Sequence, residues 1–241
     1  MSLPSLASRP DNRARWGAFA FALAGILFVI YEAAAPRVSD QTTLDSAESW
    51  TSLGWSLAHL AAIAGLILIP LGYSALRGRL RGTPHEGTAA AAATIGYIGS
   101  ALTISYYGAE AYGLKAIGQR AVADGDATLT EVGNAFRYDP TAMSVFAIGL
   151  ILIAVAAVLA AVAVWRSGTL RRWSAVPLAA LLATMLPQYF LPHTGRIAWG
   201  AMVAVAAMWL AAEMVRDRTP HRAGRNYPPA TIRSMMVGWP R

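Results

Sequence analysis

Apolar residues fall into six long stretches along this chain, at 16–35, 50–75, 88–113, 141–165, 173–191 and 197–215, and the segments between them alternate in charge. About 20 apolar residues suffice to cross a hydrocarbon core of about 30 Å. A water-soluble helix of such length keeps a broad polar face, and none of these stretches has one. The pattern therefore predicts an all-α, polytopic transmembrane bundle of six spans. It divides the chain into a tail at 1–14, one membrane domain at 15–216 and a basic tail at 217–241, with no room for a separate soluble domain.

Arginine sets the expected threading. Arg9, Arg13, Arg15, Arg77, Arg79, Arg81, Arg166, Arg171, Arg172, Arg216, Arg218, Arg222, Arg225, Arg233 and Arg241 occupy the tails and the second and fourth loops. Only Arg37, Lys115, Arg120, Arg137 and Arg196 fall in the other loops, which also hold Asp40, Asp45, Glu48, Asp124, Asp126, Glu131 and Asp139. Basic residues stay on the cytoplasmic side, so both termini are expected in the cytoplasm and the protein in the cell inner (plasma) membrane. The net charge of +7 follows from this threading, and anionic inner-leaflet lipid is a better electrostatic partner than nucleic acid. With no cysteine in the chain, disulfides, thiolate catalysis and cysteine-ligated metal are excluded. The first stretch is too long for a cleaved signal and is expected to be retained. Abundant arginine and alanine beside almost no lysine suit a high-GC, actinobacterial coding bias.

Local signals refine the bundle. Asp45 with Glu48, and Thr128 with Glu131, have the spacing of capping boxes; the first would open the second span, and the second, followed by Val132, Ala135 and Phe136 at helical spacing, a short amphipathic helix in the 114–140 loop. That helix would cover the outer mouth, as a plain surface cover or as a lid. Gly54, Ala58, Ala61, Ala62 and Gly65, then Gly96 and Gly99, then Gly200, Ala204, Ala207 and Ala211 are small residues at helix-packing intervals, placing the second, third and sixth spans inside. The aliphatic fourth span is expected to face lipid. Pro70, Pro177 and Pro187 should each bend or unwind a helix and free carbonyls for neighbours to satisfy. In the last tail, Tyr227-Pro228-Pro229 argues against a continuous helix, and residues 232–237 could lie on the inner surface.

Ionisable residues inside a bilayer are costly and are functional candidates by default. His59 lies about 13 Å beyond Trp50 at 1.5 Å per residue, near mid-membrane. Glu32 and Glu110 come near the outer ends of their spans, whereas Glu213 pairs naturally with Arg216 three residues on. Ser52, Trp55, Ser56 and His59 share one helix face. Gly96, Gly99, Thr103, Tyr106, Tyr107 and Glu110 form a stripe on the next span, and Thr184, Gln188, His193 and Arg196 add polar groups from the fifth span and its mouth. Together they suggest a polar pocket opening outward, with Glu32, Trp55, His59, Thr103, Tyr106, Tyr107, Glu110, Thr184, Gln188, His193 and Arg196 as its residues.

Three functions compete for this pocket. In a purely structural one, His59 and Glu110 fix helix register by interhelical hydrogen bonds, as in a subunit of a membrane complex with a partner subunit. In a binding one, a lipid, quinone or isoprenoid lies between helices with its polar head near Glu110, His193 and Arg196. In an enzymatic one, Glu110 donates a proton to a lipid or isoprenoid substrate and His59 or Tyr107 assists. A small-molecule or lipid-binding or accessory membrane protein is the preferred expectation, with no cofactor. His59 has no membrane-depth histidine partner for haem, no HExxH or close histidine pair supports zinc, and a GxSxG elbow, an ion filter and an inverted repeat are all lacking.

Trp55-x-x-x-His59-Leu60, the run ending Leu68-Ile69-Pro70-Leu71-Gly72, the late glutamate Glu110 and Gly168-Thr169-Leu170-Arg171-Arg172-Trp173 resemble a broad group of uncharacterised six-span actinobacterial membrane proteins over about residues 16–215. The resemblance implies the six-helix fold and brings no established activity with it. A looser similarity is to small integral-membrane terpenoid cyclases, which use acidic proton donors. Here, however, no aspartate lies within a span.

Overall fold

The computed structural model describes residues 12–216, which form helices and turns only. The tail expectations at 1–11 and 217–241, including the proline-rich segment and residues 232–237, lie outside the described residues. Helix α1 covers Asn12–Ala34. A short α2, Leu44–Thr51, precedes α3, Leu53–Arg79. Helix α4, Glu86–Ala109, runs through a π-helical turn at Glu110–Leu114 into α5, Lys115–Asp124. Then come α6, Leu129–Arg137; α7, Pro140–Ser167; α8, Val176–Ala183; a 3-10 turn at Pro187–Phe190; and α9, His193–Val215.

Five of these rods are long and apolar enough to cross a membrane: α1, α3, the α4–α5 rod, α7 and α9. The stretch at 173–191 differs from its expectation, because it is broken rather than continuous. Pro187 has no N–H to offer the carbonyl of Ala183, and its ring would clash with that carbonyl, so α8 ends there. Pro177, by contrast, sits in the first turn of α8, where no donor is needed.

Helix starts also depart from the sequence expectation. Asp45 and Glu48 do not form the box that opens the second span. Thr43 caps α2, accepting from the Ser46 amide at 3.3 Å. Ser52 is extended, separates the two helices, and caps α3 by accepting from the Trp55 amide at 3.0 Å. Asp45 lies inside the first turn, where its backbone is already helical and it cannot serve as the cap. Helix α7 starts on Asp139, whose carboxylate accepts from the Thr141 and Ala142 amides at 2.9 Å each.

The principal helices pack as a closed ring, in the order α1, α3, α4, α7, α8, α9 and back to α1. Chain direction reverses at each step. One end of the ring therefore gathers the ends of α1, α4 and α8 with the starts of α3, α7 and α9. Arg13, Arg15, Arg77, Arg79, Arg81, Arg166, Arg171, Arg172 and Arg216 lie at the opposite end. Glu213 is buried there, accepting from the Arg171 amide at 2.9 Å and from Arg216 Nη1 at 3.2 Å.

Small residues let the helices approach one another closely. A Cβ on Gly25 would come within 2.7 Å of Ala204 Cα, and one on Gly99 within 2.8 Å of the Gly149 carbonyl. The small residues expected to be interior in the second, third and sixth spans are buried, apart from half-buried Gly54. Helix α1 is equally central, which the sequence pattern did not signal. Helix α7 is split: Ile148, Ile151 and Val155 face outward while Leu150, Ile153 and Ala156 pack inward. At Pro70 the missing donor frees the Leu66 carbonyl, which accepts from Ser100 Oγ of α4 at 2.7 Å. The expectation that a neighbour would satisfy it is met. A Gly149→Ala substitution would place its Cβ 2.5 Å from Thr103 Oγ1. It should lower stability by about 1–3 kcal/mol, as overpacking does; an unchanged thermal midpoint in detergent would show that α4 and α7 do not meet this tightly.

Candidate functional site

At the end of the ring opposite the arginine-rich rim, a cavity of about 400 Å³ opens among α1, α3, α4, α7, the 187–190 turn and α9. Its floor is built from two ion clusters on opposite sides.

The first joins α3, α4 and α6. His59 Nε2 lies 3.2 Å from Glu110 Oε2, and Arg137 Nε donates to Glu110 Oε1 at 2.8 Å. Trp55 Nε1 donates to the Glu110 carbonyl at 3.1 Å, and π-helical turns of the kind that follows Ala109 recur at functional sites. His59 Nδ1 is 2.9 Å from the Trp55 carbonyl. A carbonyl can only accept, so Nδ1 carries a proton. The other ring nitrogen, Nε2, is the one that faces the Glu110 carboxylate. On the far side of Glu110, burial works against the Arg137 charge, but the adjoining carboxylate outweighs it and moves the guanidinium above its ordinary pKa.

The second cluster joins α1, its following loop and α9. Glu32 is fully buried and takes two bonds from Arg196, from Nε at 2.8 Å and Nη2 at 3.3 Å, and one from Arg37 Nη2 at 3.1 Å. Arg196 Nη2 also reaches the Tyr31 hydroxyl at 3.4 Å, and its guanidinium stacks over the Tyr189 ring at 4.9 Å. Tyr107 donates to Tyr31 at 3.0 Å and touches the Tyr189 hydroxyl, so three phenols link the two clusters. Met143, Phe146, Leu186 and Phe190 supply an apolar wall.

Over this end lies a cap of α2, α5 and α6. Trp50 is wholly buried against Leu114 and Gly133, where a Cβ on Gly133 would come within 2.8 Å of the indole. Arg137 Nη1 and Asn134 Nδ2 both bond Gln41, at 2.8 Å each. The expected helix in the 114–140 loop exists, but its buried face is Thr130 and Gly133, with Phe136 half-buried; Val132 and Ala135 are exposed. The Thr128 capping box is not formed either. Its hydroxyl donates to Asp126 Oδ1 at 2.6 Å, and that bond with the Thr128 amide holds the exposed Asp126 below the usual carboxylate range.

Of the residues proposed from sequence, Trp55, His59, Tyr106, Tyr107, Glu110 and Arg196 line the cavity. The others do not. Glu32 sits behind Arg196. Thr103 is sealed in the α4–α7 seam, bonding the Gly99 carbonyl at 2.9 Å. Thr184 accepts from Trp199 Nε1 at 3.1 Å; Gln188 is buried with neither amide atom bonded, and His193 is exposed at the start of α9. The break at Pro187 turns these last residues away from a common face. Tyr31, Arg37, Arg137 and Tyr189 were missed. A signal existed for two of them: Arg37 and Arg137, with Arg196, are exceptions to the charge bias of the loops, and each bonds a buried glutamate.

Among the described residues no three His, Asp or Glu side chains gather as a metal would require. Both Glu110 oxygens are engaged, one by His59 and one by Arg137. Fold and pocket together define a class: an all-helical protein with bilayer-length apolar helices and a charged, aromatic-walled cavity at one end. No known protein family, curated protein or solved structure matches the chain.

Proposed function

We propose that this is a multi-pass inner-membrane protein, with six traversals and both termini in the cytoplasm, that binds an amphiphilic small molecule such as a lipid, quinone or isoprenoid in a pocket open to the outer face. One observation carries the binding assignment: a cavity of about 400 Å³ lined both by charged groups and by aromatic and aliphatic side chains, a size and lining typical of ligand sites. The segregation of arginines to the opposite end supports the orientation, and the broken 176–190 segment, packed between α7 and α9, serves as the sixth traversal. Interrupted helices are tolerated at membrane depth where protein buries them. The actinobacterial six-span group remains the proposed kinship. Anionic inner-leaflet lipid is the proposed partner of the arginine-rich rim.

The test is direct. Protein purified in mild neutral detergent and extracted with organic solvent should release one amphiphile in near-stoichiometric amount by mass spectrometry, and Tyr107→Phe with Arg196→Gln should lose it. A wild-type protein that yields only the bulk lipid profile, and whose thermal midpoint responds to no added amphiphile, would leave the purely structural role.

A further inference from the structure

We infer that the pocket selects an anionic head group, a phosphate or a carboxylate; this rests on the binding function proposed above and adds the sign of the ligand's charge. The cavity carries more arginine than acid. Arg37 and Arg196 share a single carboxylate, Glu32, so that cluster keeps one positive charge. In the other cluster Arg137 is matched by Glu110, so across the cavity three arginines face two carboxylates and one positive charge is left over. The acids on neighbouring turns do not compensate: Asp40 is exposed and bonds Thr42, and Asp139 is exposed and caps α7.

The phenols do not change this count, because Tyr31, Tyr107 and Tyr189 bond one another. Arginine charge at a cavity that protein acids leave unmatched favours an anion there. An oxyanion held between Arg37, Arg137 and Arg196 would supply the missing charge, and guanidinium forks suit such groups.

The experiment compares decyl phosphate, decyl glucoside and decyltrimethylammonium, equal in chain and different in charge, with inorganic phosphate, each titrated calorimetrically into the full chain in neutral detergent. Decyl phosphate should bind roughly tenfold or more tighter than the other two alkyl probes, the factor expected of one charge-assisted hydrogen bond. Arg37→Gln, chosen because Arg37 is exposed and Arg196 still pairs with Glu32, should weaken decyl phosphate by roughly tenfold and change decyl glucoside far less, while Arg37→Lys retains most of the affinity. Inorganic phosphate binding as tightly as decyl phosphate would keep the anionic assignment and make the source a soluble anion; weaker binding makes it an amphiphile. Three alkyl probes of equal affinity would overturn the anion preference while leaving the binding function intact. No binding by any probe, with nothing extracted from the purified protein, would end both.

Discussion

Glu32→Gln is expected to lower stability by about 3–5 kcal/mol, the cost of breaking a buried ion pair by removing one partner. The substitution conserves shape and removes only charge. It leaves Arg196, with a side chain 8% exposed, facing an amide that cannot balance it, and removes the acceptor that anchors Arg37. The cluster ties α1 to α9, so the loss falls on the longest-range seam of the ring. For a chain of this size the thermal midpoint should fall by roughly 10 °C, read from tryptophan fluorescence in neutral detergent. Adding Arg196→Met should recover part of the loss, because it removes the buried charge that Glu32→Gln leaves uncompensated. A single variant that melts with the wild type would mean that the Glu32–Arg196 contact does not form.

Glu110→Gln should do comparable damage by a different route. Glu110 holds Arg137 through Oε1 and His59 through Oε2, so its loss releases the end of α6 as well as the α3–α4 contact. Thermal stability should drop by about 3 kcal/mol, and limited proteolysis at the Gly125–Thr128 turn should accelerate more than in Glu32→Gln, which leaves the cap anchored. His59→Leu should be milder, since Glu110 keeps Arg137. A double-mutant cycle of Glu110→Gln with Arg137→Gln should give a coupling of about 0.5–3 kcal/mol. Additive effects, or unchanged proteolysis, would show that the cap is held by Trp50 packing and the Gln41 bonds alone.

The candidate site was legible where a single helix presents its residues. Trp55 and His59 lie one turn apart on α3, and Tyr106, Tyr107 and Glu110 one turn apart on α4, so periodicity alone places each set on one face. It failed where placement depends on partners. Glu32 has the same sequence signature as Glu110, an acid late in a span, yet one lines the cavity and the other lies behind an arginine. Thr103 shares the α4 stripe with Tyr107, but α7 crosses at Gly149 and seals it. Arg137 could not be assigned at all, because its position depends on the course of α5 and α6 through the longest loop.

Composition and periodicity by themselves determined that the chain is helical, that its helices suit a hydrocarbon solvent, and which end of the bundle carries the arginines, since these depend on residue type and a spacing of 3.6 alone. Tertiary structure decided which polar groups meet: that Pro187 breaks the stretch at 173–191, that Arg37, Arg137 and Arg196 converge from three separate elements, and that two glutamates are shared among them unevenly. Charge balance is a property of neighbours in space. No reading along one dimension could have counted it.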